Sequence, residues 1–287
     1  MPSLLIKLSL SFDNHHMEQL TTIEQYHDIV ERYNLKGCLS NDYLQARAEG
    51  LIARGLLSAE WTDNNAYLLE GKDGFYRLYY YINDPEADDK PQFPGDVVTE
   101  ILYRGSARYP EAEVVFLERM GFKPNLVRDQ YAAVYQDLAP AGENTEVTVR
   151  LAVDMVEVQW ACQLFNATFD RYSGDVISEK SFDRLLAAGS ILVAVDHIGN
   201  RVGALHQTVE RNVAWISHVA VIPAARGHHV GSALVDAFVE RNHTIDKSRY
   251  MLWVQQQNTA AVAMYQKKGF KYLNKSTLSL IKTKTNN

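Results

Sequence analysis

The stretch Val219-Ala-Val-Ile-Pro-Ala-Ala-Arg226-Gly227-His-His-Val230-Gly231-Ser232-Ala-Leu234 constrains the fold of this chain more than any other. The residues before Pro223 are β-branched or small and apolar, as a buried strand requires. From Ser232 to Glu240, apolar residues recur at Leu234, Val235, Phe238 and Val239, which is helical spacing. The pattern predicts a strand, a short loop holding two glycines and an arginine, and then a helix. A helix that opens there turns unpaired N–H groups and the positive end of its dipole toward the loop, and the glycines let an oxygen approach the backbone. Residues 227 to 232 are therefore a candidate anion site. No Gly-Lys-Ser/Thr follows, so the segment is not a Walker loop.

Downstream, Arg249-Tyr-Met-Leu-Trp-Val-Gln255 alternates like a strand, and Asn258-Thr-Ala-Ala-Val-Ala-Met-Tyr265-Gln-Lys-Lys-Gly269-Phe270 predicts a helix. Asn258 is a good N-cap, two lysines fall in the last turn where the dipole favours cations, and Gly269 suits the left-handed position past a helix end.

Together the two segments resemble the signature of the GNAT N-acetyltransferase superfamily. There an Arg or Gln, two residues, a Gly, one residue and a Gly or Ala wrap the CoA pyrophosphate, and an Asn and a Tyr mark a later helix. The pattern falls on Arg226, His229 and Gly231, with His229 standing where the family has its middle glycine. The resemblance runs from about Val147 to the C-terminus. It implies an α/β fold of the α+β kind, a mixed, mostly antiparallel sheet flanked by helices, and acetyl-CoA as co-substrate. It sets the pyrophosphate against Arg226, Gly227, His228, His229, Val230, Gly231 and Ser232. It also lays the pantetheine arm along a bulged fourth strand at Val219, Ala220 and Val221, whose N–H groups polarise the acetyl carbonyl. The plainer reading of the two valines is core packing, and backbone and side chain can serve both ends.

The resemblance makes Tyr265 the group that protonates the departing CoA thiolate, which needs a donor of high pKa; otherwise it is a core tyrosine. Asn258 either contacts the pantetheine or only caps its helix. For the base that deprotonates the incoming ammonium, His218 comes first, since an imidazole near pKa 6.5 suits proton removal at neutral pH, with His206, Ser217 and Glu210 as alternatives. Strand alternation sends Val219 and Val221 to one face and His218 and Ala220 to the other, and a bulge decides which face meets the substrate. His228 and His229 lie too near the loop to be bases and lack a third partner at metal-binding spacing. Cys162 sits in an apolar helix with no neighbouring base, and Trp215 and Trp253 read as core.

A chain of 287 residues, 46% hydrophobic and 22% charged, is more naturally two domains than one. The turn-rich segment Asp137-Leu-Ala-Pro140-Ala-Gly142-Glu-Asn144 divides 1–140 from 147–287. Residues 1–140 carry 13 Lys plus Arg against 22 Asp plus Glu, and the remainder 16 against 13. The signs favour an anionic cofactor in the second half and a cationic amine as acceptor, and no basic patch points to nucleic acid. Two cysteines imply no disulfide framework. The opening Met1-Pro-Ser-Leu-Leu-Ile-Lys-Leu carries no basic leader, and no run reaches the roughly 18 apolar residues of a membrane span. A cytoplasmic protein is the expectation.

In the second half the predicted order is strand, two helices, three antiparallel strands, helix, strand, helix, two strands. The first half contains an echo. Glu113-Val-Val-Phe116-Leu-Glu-Arg-Met-Gly121-Phe122 parallels Ala261-Val-Ala-Met264-Tyr-Gln-Lys-Lys-Gly269-Phe270. Helices are predicted over Leu20–Tyr33 and Ser40–Gly55, a hairpin around Gly71 and Gly74, and a strand over Val97–Tyr103. Tyr79, Tyr80 and Tyr81 read as alternating core and surface, and the loop Asp84 to Lys90 as solvated. Because Arg104-Gly105 brings no second glycine and no long helix, this half is expected to be a degenerate GNAT-like copy that binds no CoA. The whole reads as an acetyl-CoA-dependent N-acetyltransferase, passing acetyl directly to a primary amine of a small molecule or peptide. The alternative is an acyl-CoA-binding sensor or interaction protein of the same fold without turnover.

Overall fold

The computed structural model describes residues 16–105, 108–142, 146–172, 176–243 and 249–284. The opening apolar run and the end of the expected linker, 143–144, lie outside the described residues. The chain forms two compact units. Among the described residues, one takes in 16–103, 108–125 and 278–284; the other takes in 104–105 and those between 126 and 277. Neither is one continuous stretch of sequence, and residues 126–140 lie with the second unit.

The first unit runs β1 (Glu18–Gln19), α1 (Ile23–Tyr33), β2 (Leu39–Ser40), α2 (Ala48–Ile52), β3 (Leu57–Trp61), β4 (Asn65–Gly71), β5 (Tyr76–Ile82), β6 (Val97–Tyr103) and α3 (Glu111–Arg119). The capping box of Thr22 and Gln25 starts α1. Strands follow the order β1-β3-β4-β5-β6, antiparallel except for β5 beside β6. That parallel pair is in register only from Tyr76 opposite Val97 to Leu78 opposite Thr99. Beyond it the strands separate, and β2 lies against β5 with Leu39 opposite Ile82 and Ser40 opposite Tyr81.

Asn41 closes the gap. Its Nδ2 donates to the Leu78 carbonyl at 3.3 Å, the Thr99 hydroxyl at 2.9 Å and the Glu100 carbonyl at 3.0 Å, and its Oδ1 accepts from the Tyr80 N–H at 2.9 Å. This corrects the helix expected over Ser40–Gly55, of which only α2 forms. Asn41 bridges two strands instead of entering a helix, and Asp42 caps the Leu44 N–H at 2.6 Å.

The tyrosine run on β5 is corrected as well. Tyr79, Tyr80 and Tyr81 are all buried, and their hydroxyls donate to Glu70, Glu113 and Asp42. Both faces of this strand are covered, so alternation does not expose any ring. The Asp84–Lys90 loop is tied down at several points: Asp89 accepts from Tyr67 and Asn65, the Asp84 carbonyl accepts from Asn65 Nδ2, and Arg119 donates to Glu86.

The second unit contains most of β7 (Lys123–Val134), then β8 (Val147–Leu151), α4 (Met155–Thr168), α5 (Phe182–Ala187), β9 (Ile191–Asp196), β10 (Arg201–Glu210), β11 (Val213–Val221), α6 (Val230–Asn242), β12 (Arg249–Gln255), α7 (Thr259–Lys267) and the start of β13 (Lys271–Lys282). The sheet order is β7-β12-β11-β10-β9-β8, and β11 beside β12 is its parallel pair. One face of the sheet packs Leu205, Ile216 and Leu252 against Leu234, Phe238 and Tyr265 of α6 and α7. The other packs Val193, Ala204 and Ala220 against Val158, Cys162 and Phe165 of α4. Burial of each large side chain here contributes about 2 kcal/mol. Among the described residues no helix is long and apolar enough to cross a membrane.

The two units correspond through their parallel pairs, which makes β5 the counterpart of β11. The missing phosphate loop and helix of the first unit therefore fall between Ile82 and Val97, not after Tyr103 as the sequence placed them. Residues 83–96 form no helix. The echo at α3 and α7 is real in backbone terms. Phe122 N–H bonds the Leu117 carbonyl and Phe270 N–H the Tyr265 carbonyl, both at 3.0 Å, with Gly121 and Gly269 at φ 89° and 94°. These are matching Schellman caps.

Candidate functional site

The second unit's parallel pair opens at a bulge. β10 and β11 pair His206 with His218 and then Gln207 with Ile216, so Ser217 is an extra residue on β11. β12 follows β11 only from Val213 to Ile216. Past that point the free edge of β11 faces a gap. Ile222 N–H bonds the Val202 carbonyl at 3.0 Å, so alternation turns the amide of Ala220 toward β10 and those of Val219 and Val221 toward the gap. Arg226 folds back over this edge, its Nε donating to the Val221 carbonyl at 3.3 Å.

After a short 3₁₀ turn at Pro223–Ala225, Gly227 takes φ 86° and His229 takes φ 56°, ψ 13°, immediately before α6. His229 thus holds a left-handed conformation that glycine reaches freely and other residues adopt at a cost of about 1 kcal/mol. No side chain caps the first turn of α6, leaving Val230, Gly231 and Ser232 with helix-start N–H groups directed outward. A Cβ added at Gly227 would meet nothing within 4 Å, and one at Gly231 only Met264 and Val221 at 3.7 and 3.9 Å. The protein leaves this surface bare, which fits a pyrophosphate seated on the backbone. His228 is held from the side, its Nδ1 3.3 Å from a Glu146 carboxylate oxygen.

Gly203 on β10 is a site residue the sequence reading missed. A Cβ there would stand 3.0 Å from Val230, 3.1 Å from the Ala220 carbonyl and 3.2 Å from Leu234. Its absence lets the start of α6 seat closely on the sheet. The available signal was an isolated glycine inside a strand pattern.

The gap continues into a cavity of about 510 Å³ whose walls include His218, Val219, Asn258 and Tyr265. Tyr265 is 6% exposed, and burial pushes its hydroxyl well above the ordinary tyrosine range. Asn258 caps α7, its Oδ1 accepting from Ala261 N–H at 3.1 Å, and it also lines the cavity, so both readings of it hold geometrically. Trp215 and Trp253 are not core: both are only partly buried and form cavity wall, together with Arg128 and Glu210. Cys162 is fully buried, and burial alone pushes its thiol up to about 11.

His218 lies on the α4 side of the sheet. Its ring centroid is 5.4 Å from that of Phe165 and 5.0 Å from that of Phe169. His206 sits beside it with nearly parallel rings, Nδ1 to Nδ1 3.3 Å. Burial, then the charges of His218 and Arg184, push His206 down to about 4, which removes it as a base exchanging protons at neutral pH. Ser217 is exposed at the bulge. A second hollow of about 440 Å³ beside α6 contains none of these groups, and the Lys268–Asp236 ion pair forms part of its wall.

Residues 154–270 match the acetyltransferase (GNAT) family. The second unit carries a GNAT domain. No curated protein matches the sequence. Among solved structures, a GCN5-related N-acetyltransferase from Sphaerobacter thermophilus is 17% identical, with 76% of each chain covered and a TM-score of 0.56. One from Kribbella flavida is 13% identical, covering 84% of this chain and 96% of its own, TM-score 0.53. A tandem GNAT protein of the clavulanic acid biosynthesis pathway, solved without AcCoA, is 13% identical over 80% and 84%, TM-score 0.52. At these identities the likeness is one of fold. It extends over both units, so the chain as a whole has the architecture of tandem GNAT proteins. The GNAT domain supplies the loop, the open strand edge, Tyr265 and the cavity; in the first unit Leu117 stands where α7 has Tyr265.

Proposed function

We propose that the GNAT domain transfers acetyl from acetyl-CoA to a primary amine of a small molecule or peptide, directly and within a ternary complex. The observation that carries this reading is the open edge of β11, where the outward amides of Val219 and Val221 continue into the bare helix start at 227–232. In this reading the amides of residues 227 to 232 hold the pyrophosphate, with Arg226 adding charge. The Val219 and Val221 backbone receives the pantetheine as an added strand, with Ala220 between them paired inward.

An outward amide on β11 then stabilises the oxyanion as the amine attacks, a contribution on the order of 3 kcal/mol. His218 takes a proton from the ammonium at the cavity wall, and Tyr265 gives one to the departing thiolate. Desolvation keeps the Tyr265 proton in place until that charge appears. Cys162 takes no part, because its thiol is enclosed under α4.

The test is to incubate the whole protein with acetyl-CoA and a panel of polyamines, aminoglycosides, amino acids and peptide N-termini while following free thiol. Turnover with at least one amine is the expected result. Saturable CoA binding with no thiol released across the panel would favour a non-catalytic acyl-CoA sensor, for which the glycine-to-histidine exchange at His229 is the structural reason. No binding at all would remove both.

A further inference from the structure

We infer that the first unit holds an anion site of its own, a hollow that takes the phosphate group of a small soluble phosphate ester. The site is independent of the acetyl transfer proposed above. The hollow has a volume of about 280 Å³. Among the described residues its walls include Lys90, Phe93, Arg119, Lys282 and Lys284, and one carboxylate, Asp89; all belong to the first unit. Residues 89–95 lie in the segment that stands where the second unit has its loop and α6. Where the second unit presents backbone amides, the shortened connection here presents side chains.

Lys282 carries the argument. Its stem lies over Gly121, where an added Cβ would meet only that side chain, at 3.7 Å, and its Nζ stands 5.1 Å from the centre of the Phe93 ring. Phe93 is itself fixed edge-on against the buried Phe122, with ring centroids 5.9 Å apart. Among the described residues no carboxylate stands within ion-pairing distance of this ammonium, and burial pulls it below the ordinary lysine range. A half-buried cation that no anion offsets costs free energy. The neighbouring charges do not relieve it. Lys284 Nζ donates to the Pro94 carbonyl at 3.2 Å, and its backbone N–H donates to Asp96. Lys90 pairs with Asp88 at 2.7 Å, and Arg119 with Glu86 at 3.2 Å and with the Pro85 carbonyl. Both of those carboxylates are 85% exposed, so the pairs contribute little and a ligand can replace them. Asp89 is committed to Tyr67 at 2.5 Å and Asn65 at 2.7 Å. The wall is therefore positive, and three ammonium groups and a guanidinium offer donors and no acceptor, which is the chemistry that receives a phosphate. The volume falls below the roughly 300–1,000 Å³ of pockets that enclose drug-sized ligands, so the ester is small.

The test is calorimetric titration of the whole protein with inorganic phosphate and with glycerol phosphate at constant ionic strength, alone and with one equivalent of coenzyme A per chain. One phosphate bound per chain, not displaced by that coenzyme A, is expected. Lys282→Met keeps the stem packed on Gly121 and Phe93 and removes the charge. It is expected to weaken phosphate binding at least tenfold while preserving or raising the unfolding midpoint of the protein without ligand. The double variant Lys90→Ala, Lys284→Ala changes only exposed side chains and is expected to weaken binding by a similar factor, so the test stands even if Lys282→Met does not fold. Lys271→Met, in the second unit, should leave the affinity unchanged. Absence of saturable binding, displacement by coenzyme A, or unchanged affinity in the variants overturns the inference. Phosphatidylcholine vesicles containing phosphatidate are expected to retain none of the protein; retention that depends on Lys282 would make the ligand a lipid headgroup and overturn the soluble ester. Should the protein fail to bind coenzyme A, the proposed function fails, yet the lysine variants still decide the hollow.

Discussion

Each unit contains one parallel strand pair that begins in register and then separates, and the two gaps have opposite fates. In the first, β2 enters between β5 and β6 and the Asn41 side chain bonds to both. In the second, no strand among the described residues continues along the β12 side of β11 beyond Ile216, and the bulge at Ser217 starts an open edge that leads to the cavity. An unpaired strand edge inside a fold has unmet N–H and C=O groups. The first unit satisfies them with its own residues, and the second leaves the amides of Val219 and Val221 turned toward the gap. The same geometry is thus structural in one copy and available for binding in the other.

The comparison is most exposed to failure at Asn41. Asn41→Ala removes four hydrogen bonds and strands the Tyr80 N–H in a buried site, so a loss of about 4 kcal/mol in denaturant unfolding is expected, with acetyl-CoA affinity unchanged. A loss below about 1 kcal/mol would show that the gap closes without it.

Next in size is Tyr265→Phe, expected to cut kcat about 100-fold, or roughly 3 kcal/mol, while calorimetry still finds one CoA per chain. The reciprocal Leu117→Tyr should add neither activity nor a second CoA site, since its gap is filled; two equivalents of bound CoA would break the contrast outright.

The third effect belongs to the second unit's gap alone and concerns pH. His206 is held near 4 in the folded state against about 6.5 when unfolded, so the unfolded chain binds the proton more readily. Its contribution to stability is intact above pH 6.5 and is lost progressively toward pH 4, about 2 kcal/mol between pH 7 and pH 5. That slope should vanish from the unfolding profile of His206→Phe. Smallest is His229→Gly, which removes left-handed strain and should raise stability by about 1 kcal/mol and tighten CoA. If affinity instead falls, the histidine ring is part of the ligand surface.

Much of the second unit was legible because its signals are local. The loop from Pro223 to Gly231 and the Asn258 and Gly269 caps of α7 each depend on neighbours within a few residues. Asn41 was not legible, since its partners lie 37 to 59 residues away and its type alone predicts only a turn. Nor was the side of the sheet that His218 takes, because a bulge at Ser217 has no compositional mark. Trp215 and Trp253 failed for a related reason: alternation places a ring on a face, but only the separation of β11 from β12 turns that face into cavity wall. The tyrosines of β5 failed because carboxylates from β4, α3 and the β2 segment bury them on both faces.

The membership of β7 in the second unit determines how this protein can be dissected. Its residues Arg128 to Val134 pair with the full length of β12, Gln255 to Arg249. A fragment cut in the turn-rich region near residue 140 would lose that neighbour and expose a seven-residue row of backbone donors and acceptors flanked by Tyr250, Leu252 and Val254. Such a fragment would be prone to self-association, so an isolated piece carrying the GNAT domain should begin no later than Leu126.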